Sequence, residues 1–170
     1  MDIIIATDLD GGIGQDGRIP WKNSDDMTFF RETTRNSVVL MGRKTWHSIP
    51  MIFKPLKNRT NIVVSSRLET EHGSHIVVRT PEEGYALAEK IALASDTTAF
   101  CIGGPSLWEG VWDLLPRYVY LSTIKGSYDC DISLDDCPRL DWLINGCRED
   151  KDRVTVLKDN EDLSIIRMEV

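Results

Sequence analysis

The chain has 170 residues, a length typical of one domain, with 41% hydrophobic residues and a formal net charge of −7. The acidic balance argues against binding of nucleic acid or anionic membranes, and no apolar run is long enough to span a membrane. The N-terminus lacks the basic region of a signal peptide, so we expect one cytoplasmic domain over residues 1–170.

The first half of the chain alternates predicted strands with short helices. Continuous apolar runs indicate strands buried on both faces of a sheet. These strands are Asp2–Thr7, Ser37–Met41 and Asn61–Ser65. A helix is predicted over Asp25–Thr34 with Ser24 as its N-cap, and a short helix is expected near Arg43.

The second half continues the alternation and closes with a hairpin. The predicted strands are His75–Arg79, Thr98–Ile102, Arg117–Ile124, Arg153–Lys158 and Leu163–Val170. Thr80 opens a helix whose capping box pairs it with Glu83, and another helix is predicted over Ser106–Leu115. Because Asp135–Asp152 is the least periodic stretch, we expect mostly loop there.

This order of elements predicts an α/β fold. Repeated strand–helix–strand units form parallel sheets with helices on both faces, because each crossover lays its helix over the sheet. We therefore expect a mainly parallel, eight-stranded sheet with helices on both faces and an antiparallel C-terminal hairpin.

Two glycine motifs follow predicted strands. The run from Gly12 to Gly17 matches G-x-G-x-x-G, but Pro20 disfavours the helix that a dinucleotide fingerprint requires. A flexible loop is the better interpretation. The second motif, Gly103–Gly104, lies between a strand and a helix, where free N–H groups can receive a phosphate. A tight turn that needs small residues explains this motif equally well.

The cysteines suggest a reducing compartment. Cys101, Cys130, Cys137 and Cys147 form no C-x-x-C pair, so free thiols are expected. No metal site is expected, because His72 and His75 have no cysteine near them in sequence.

Several motifs, in this order and spacing, resemble the dihydrofolate reductase family. They are Ile13-Gly14, Pro20-Trp21, Asp26, Phe30, Met41-Gly42-Arg43-Lys44-Thr45-Trp46, Ser48-Ile49-Pro50, Pro55-Leu56-Lys57-Asn58-Arg59, Ser65-Ser66-Arg67 and Ile102-Gly103-Gly104. The resemblance covers residues 2 to about 134. It implies a single-domain enzyme, expected to be monomeric, that reduces 7,8-dihydrofolate with NADPH and supports thymidylate and one-carbon metabolism.

The resemblance also implies roles in substrate binding. Asp26 matches the acid that anchors the pterin ring, although a carboxylate at a helix start also stabilises the helix dipole. Trp21 matches a residue that orders a catalytic water. Without the other motifs, it would be interpreted as an interior aromatic residue. Arg59 matches the arginine that binds the folate α-carboxylate through two parallel hydrogen bonds. Without the other motifs, it would be interpreted as a solvated surface arginine. The remaining implied contacts are Ile5, Ala6, Met27, Phe30, Ile49, Leu56 and Ser122.

The implied cofactor is NADPH. Arg43, Ser66 and Arg67 would meet the adenosine 2′-phosphate, and Gly103 and Gly104 the pyrophosphate. The other implied contacts are Ala6, Ile13, Gly14, Ile19, Gly42, Lys44, Thr45, Ser65, Ile102, Pro105, Ser106, Leu107 and Trp108. The sequence departs from the family at Ser106, where some relatives carry an arginine, at Trp108, where a tyrosine is usual, and at Ser122, usually threonine.

Two other functions remain open from the sequence. One is a related NADPH reductase that acts on a pyrimidine intermediate of riboflavin synthesis, although Asp26 and Arg59 favour folate. The other is a folate- or nucleotide-binding protein without catalytic activity, for which Trp108 gives slight support. In the favoured function, hydride passes from nicotinamide C4 to pterin C6, and water protonates N5. Residues 11–23 would close over the nicotinamide.

Overall fold

The computed structural model describes residues 1–68, 75–114 and 116–170. The strands in these ranges are β1 (Asp2–Thr7), β2 (Gly12–Gly14), β3 (Val38–Gly42), β4 (Thr60–Val64), β5 (Ile76–Val78), β6 (Ala99–Cys101), β7 (Tyr118–Ile124), β8 (Ile132–Ser133), β9 (Val154–Asp159) and β10 (Leu163–Glu169). Eight of them form one sheet in the order β5-β4-β3-β6-β1-β7-β10-β9. All pairings from β5 to β7 are parallel, and β10 pairs antiparallel with both β7 and β9. The predicted fold class is therefore confirmed.

Helices cover both faces of this sheet. They are α1 (Ser24–Thr33), α2 (Arg43–Ser48), α3 (Pro81–Ala94), α4 (Pro105–Val111) and α5 (Pro138–Glu149). The main core lies between the sheet and α3, α4 and α5, around Leu40, Leu121 and Ile144. The opposite face carries two smaller apolar clusters, one containing Trp46 and Leu56 and the other containing Trp21. In the ranges described, no helix has the length and apolar character needed to cross a membrane.

The loop predicted over Asp135–Asp152 is wrong, because α5 occupies most of it. This helix buries Leu140, Leu143, Ile144 and Cys147, which recur at helical spacing, in the main core. Polar residues interrupt the pattern in the sequence and obscure it. Since tertiary packing supplies most of the stability of such a helix, the local signal was weak.

The helix starts also differ from the predictions in detail. Asn23, not Ser24, is the N-cap of α1, and its side-chain oxygen accepts hydrogen bonds from the Asp25 and Asp26 N–H groups, both at 3.0 Å. At α3, Thr80 accepts from the Glu83 N–H at 3.2 Å, as predicted. In a capping box the Glu83 carboxylate would accept from the N–H of Thr80. Here it accepts from the N–H of Arg79 instead.

The helix predicted over Ser106–Leu115 is confirmed with altered bounds. It begins at Pro105, ends at Val111 and continues as a 3-10 turn over Trp112–Leu114. Leu115 lies outside the described residues.

The first glycine motif forms a strand and a hairpin. Gly12 and Gly14 belong to β2, which pairs with β8. Gln15 and Arg18 then exchange two backbone hydrogen bonds of 2.8 and 2.9 Å across a two-residue turn. Asp16 and Gly17 both have positive φ, at 48° and 70°, which defines a type I′ turn. No helix starts here, so the prediction against a dinucleotide fingerprint is confirmed.

Candidate active site

Asp26 is a buried carboxylate in the first turn of α1. The β7 strand brings Ser122 against it, and the Ser122 hydroxyl hydrogen-bonds to the carboxylate. Register pairs Ser122 with Ala6 of β1, so three elements meet at this point. The Trp21 indole N–H interacts with the same carboxylate, but at a geometry short of a direct hydrogen bond. That buried donor therefore retains the capacity for a further polar partner.

The surroundings of Asp26 make it a weaker acid than usual. Burial raises the pKa of the Asp26 carboxyl above its ordinary value, and the Ser122 hydroxyl and Trp21 indole N–H partly oppose that rise. Among the described residues, no positive group contributes to the shift. A buried carboxylate without a protein cation is well suited to a cationic or N–H-rich ligand group.

The structure brings most of the predicted substrate contacts together. Phe30, Ile49 and Leu56 belong to the apolar cluster on the α1 side of the sheet. Met27, next to Asp26 on α1, is 59% exposed. Ile5 differs, because its side chain packs into the main core on the opposite face of the sheet. Successive residues of a strand alternate between faces, so Ala6 faces the α1 side and Ile5 does not.

Arg59 is held at the other end of α1. Its Nη1 donates to Thr34 Oγ1 and its Nε donates to the Lys57 carbonyl, both at 3.0 Å. The guanidinium carbon lies 5.8 Å from the centre of the Phe30 ring. Burial and the nearby Arg31 charge lower the pKa of Arg59, because both disfavour its charged form. A bound carboxylate would favour the charged form and so oppose both effects.

Thr34 was missed as a site residue by reasoning from the sequence. It is fully buried, and its hydroxyl donates to the Phe30 carbonyl while it accepts from Arg59. Its position as the C-cap of α1, where a hydroxyl can bond to a carbonyl of the last helical turn, was an available signal. Thr34 positions the guanidinium. Thr34 and the Lys57 carbonyl together use two of the five N–H groups of Arg59, so three remain for a ligand.

The second glycine motif lies beside the start of α2. The Gly42 N–H donates to the Gly103 carbonyl at 2.8 Å, which joins the end of β3 to the motif. A Cβ added at Gly104 would have Thr45 Oγ1, at 3.7 Å, as its one neighbour among the described residues, so the backbone of Gly104 faces open space. Gly42 caps α2 without a side-chain hydrogen bond, and the first N–H groups of α2 stay available for an anion.

Gly103 and two residues of the helix that follows the motif are more enclosed. Gly103 has φ of 102°, and a Cβ there would lie 2.5 Å from the Trp108 ring. Trp108 is buried beneath Gly103 and donates its indole N–H to the Cys101 carbonyl at 3.3 Å. Leu107 is buried in the main core, whereas Ile102 packs on the opposite face and Ser106 is exposed.

Basic residues surround the loop after β4. Ser65 is buried, and its hydroxyl accepts from the N–H groups of Arg67 and Leu68, which shapes a turn. Arg79 donates to the carbonyls of Ser65 and Leu68, and these two hydrogen bonds stabilise the turn. Ser66 and Arg67 are exposed at its tip, while Arg43 is half-buried at the start of α2 and Lys44 is exposed.

The segment before Asp26 is anchored to the loop after β7. The Asp131 carboxylate accepts from the Asp16 N–H at 3.0 Å, and the Asp131 N–H donates to the Gly14 carbonyl at 2.9 Å. Ile13 is half-buried against the main core, and Ile19 is 60% exposed. The segment ends at Trp21, which packs against Tyr128.

The cysteines are free thiols, as predicted. Burial raises the pKa of Cys101 and of Cys137 to about 12 each, so both thiols stay protonated near neutrality. In the described ranges, no group of three His, Cys, Asp or Glu residues could hold a metal ion. His72 lies outside those ranges, and His75 stacks on Trp46 with ring centroids 4.4 Å apart.

A buried acid on α1, apolar side chains beside it and a glycine-lined helix start lie on one α/β sheet, an arrangement suited to binding a small molecule. The sequence model described as dihydrofolate reductase matches residues 1–161. The chain belongs to the dihydrofolate reductase family, whose members are enzymes, and the resemblance inferred from the motifs is confirmed.

Individual relatives show the same similarity. The chain is 36% identical over 154 residues to a dihydrofolate reductase of Schistosoma mansoni, which covers 84% of this chain and 80% of the relative. It is 35% identical over 144 residues to a putative dihydrofolate reductase of Caenorhabditis elegans, covering 79% and 76%. Similarity to the dihydrofolate reductase of Mus musculus is 37% over 119 residues, or 64% of each chain.

Proposed function

We propose that this protein reduces 7,8-dihydrofolate to 5,6,7,8-tetrahydrofolate with NADPH and thereby supports thymidylate and one-carbon metabolism. The observation that carries the proposal is the buried Asp26 carboxylate, which lies beside Ser122 and Trp21 at one end of α1, with Arg59 fixed at the other. The bound cofactor would supply a hydride from nicotinamide C4 to pterin C6.

Asp26 would bind and orient the pterin. A carboxylate can accept two parallel hydrogen bonds, here from pterin N3 and the 2-amino group. The Ser122 hydroxyl holds the carboxylate in place, so the bidentate geometry is preorganised. Phe30, Ile49 and Leu56 form the apolar wall, and Arg59 would bind the α-carboxylate of the glutamate.

Trp21 and Asp26 together would position the water that delivers the proton. The buried Trp21 N–H without a protein partner supports an ordered water close to the carboxylate. That water would protonate pterin N5, while the negative charge of Asp26 raises the proton affinity of the ring. Asp26 would therefore act through position and charge, without transferring the proton to N5 directly.

The residues present fit a phosphorylated nicotinamide cofactor. The open backbone at Gly104 and the uncapped start of α2 suit the pyrophosphate. Arg43, Ser66 and Arg67 offer two cations and a hydroxyl for a 2′-phosphate, which is the basis for preferring NADPH to NADH. Residues 11–23 would close over the nicotinamide end and exclude water.

A spectrophotometric assay tests this function. The purified protein should oxidise NADPH only when dihydrofolate is present, with a preference for NADPH over NADH that falls in Arg43→Gln. Absence of NADPH oxidation with dihydrofolate would refute the proposed reaction and favour a binding protein without catalytic activity. We also propose that the enzyme is a cytoplasmic monomer, which light scattering of the purified chain tests for the oligomeric state.

A further inference from the structure

Asp8 is a buried acid that the proposed reaction does not use. It follows directly after β1 and is 1% exposed. Its Oδ1 accepts from the N–H groups of Asp10 and Gly12, at 2.9 and 2.7 Å, and its Oδ2 accepts from the N–H of Tyr128 at 2.9 Å. A buried carboxylate is costly unless its oxygens are paired. Here three backbone N–H groups pair them.

These three donors come from two separate parts of the chain. Asp10 and Gly12 lie where the chain leaves β1 and enters residues 11–23, which are the segment proposed to close over the nicotinamide and are called the closing segment below. Tyr128 lies in the loop after β7, which comprises residues 125–131. One side chain therefore joins the start of the closing segment to this loop.

The surroundings of Asp8 are tightly packed. The Asp8 N–H donates to the Gly12 carbonyl at 2.9 Å, and the Leu9 N–H donates to the Gly126 carbonyl at 3.0 Å. A Cβ added at Gly12 would lie 2.5 Å from the Cys130 sulfur, so the two parts of the chain are in direct contact. Hydrogen bonds and close packing together fix the start of the closing segment against the loop after β7.

The same loop also contacts the other end of the closing segment. The Tyr128 ring packs on the Trp21 ring, with centroids 5.6 Å apart and planes at 57°. Trp21 is buried, and its indole N–H interacts with the Asp26 carboxylate. Asp8 therefore binds the backbone of the residue whose ring packs against Trp21.

We propose that Asp8 is a positioning residue that holds the closing segment against Tyr128 and thereby fixes the place of Trp21 beside Asp26. This proposal rests on the proposed function, because it assumes that Trp21 and Asp26 position the water that protonates the substrate. Asp8 acts at a different point from Asp131, which anchors the middle of the closing segment.

The variant Asp8→Asn breaks this connection with little change in the shape of the side chain. An amide has one oxygen that accepts, and its NH2 group can only donate. If the amide oxygen replaces Oδ1, the Tyr128 N–H loses its acceptor. If it replaces Oδ2, the N–H groups of Asp10 and Gly12 lose theirs. Either orientation leaves a buried N–H unpaired, which weakens the contact between the two parts of the chain.

Hydrogen exchange tests this contact without turnover. In Asp8→Asn, the amides of residues 9–23 and 125–131 should exchange faster by on the order of 10-fold or more, the effect of losing one hydrogen bond to a charged group. Asp10→Asn is the matched control, because it removes the same charge from an exposed neighbouring side chain and should keep the wild-type exchange. Equal acceleration in the two variants, or none in Asp8→Asn, would overturn the proposal.

Steady-state kinetics test the consequence for the reaction. In Asp8→Asn, kcat should fall by on the order of 10- to 100-fold, because a small displacement of a positioned group slows the chemical step. KM for dihydrofolate should stay at the wild-type value, since the lost interaction does not bind the substrate. Asp10→Asn should keep the wild-type kcat. A loss that appears in KM alone would contradict a positioning role.

Variants of Tyr128 test the connection to Trp21, and they do so even if Asp8→Asn does not fold. Tyr128→Leu keeps the N–H that Asp8 accepts but removes the ring that packs on Trp21, so kcat should fall. Tyr128→Phe keeps the ring and should keep kcat. In the double variant, Tyr128→Leu should add less to the effect of Asp8→Asn than it contributes alone. Unchanged kcat in Tyr128→Leu, or strictly additive losses, would refute the connection.

Failure of this inference and failure of the proposed function give different results. If the wild-type protein does not oxidise NADPH with dihydrofolate, the proposed reaction is refuted and the positioning role falls with it. The exchange measurement then still decides whether Asp8 joins the two parts of the chain. If the wild type is active and Asp8→Asn keeps its kcat, the proposed reaction stands and the positioning role of Asp8 is refuted.

Discussion

Replacing Asp26 with asparagine removes a buried ionisable group while the size and shape of the side chain hardly change. The amide oxygen can still accept from the Ser122 hydroxyl, so the local hydrogen bond is retained. What is lost is the negative charge that would face the pterin in the proposed complex. If that charge supports protonation of N5, kcat at pH 7 should fall by on the order of 10²–10⁴-fold.

The expected loss corresponds to about 2.7–5.4 kcal/mol of transition-state stabilisation. It should shrink as the pH is lowered, because protonation of the substrate from solvent then replaces the contribution of the carboxylate. NADPH affinity should be close to that of the wild type, since the proposed phosphate contacts lie at α2 and the second glycine motif.

Stability should change in the opposite direction to activity. The folded-state pKa of Asp26 is raised above its ordinary value of 3.8, mainly by burial. The native state therefore binds the proton more tightly than the unfolded chain, and wild-type stability falls as pH rises from about 4 through the folded pKa. Above that pKa the ionised carboxylate destabilises the native state relative to the unfolded chain. The Asp26→Asn variant has no such charge to bury, so it should be at least as stable as the wild type at pH 7.

Stopped-flow and steady-state assays measure turnover, and denaturant unfolding at pH 4 and pH 7 measures stability. Ser24→Ala, an exposed change in the same helical turn, is the control for local disturbance. A kcat within tenfold of the wild type at pH 7 would refute the role of the charge. A variant that loses activity only because it unfolds would refute the reasoning on stability.

Three further changes test other parts of the structure. Arg59→Lys should raise KM for dihydrofolate by on the order of 10-fold or more with little change in kcat, because a planar, bidentate donor is lost; an unchanged KM contradicts the clamp. Gly103→Ala should lower the free energy of unfolding by about 1–3 kcal/mol, because φ is 102° and the new Cβ meets an indole ring at 2.5 Å. Gly104→Ala is its control for stability, and an equal loss in both would refute the steric argument. Gly110→Ala should also lower the free energy of unfolding, since its Cβ would clash with the Tyr85 hydroxyl oxygen. Tyr85→Phe should recover part of that loss in a double-mutant cycle of unfolding free energies, and strictly additive effects would contradict the predicted contact.

Local patterns were sufficient for most of the sheet. The middle of strand β1 is continuously apolar, as expected of a strand with both faces covered. Thr80 with Pro81 marks a helix start locally, because the Thr80 hydroxyl caps the helix and proline suits its first turn. Helix α5 shows where such patterns fail. Its four buried residues become a recognisable face only when the main core is present to receive them.

The sequence by itself determined the class of fold and the family, and it predicted Asp26 as the acid of the site, because hydrophobic periodicity and short motifs are local properties of the chain. Only the tertiary structure decided how these pieces act together. It placed Ser122 of β7 against Asp26 of α1, although about 100 positions separate these residues in the chain. It also placed Thr34 under Arg59 and moved Ile5 to the opposite face of the sheet. These arrangements depend on long-range packing, and no local pattern in the chain specifies them.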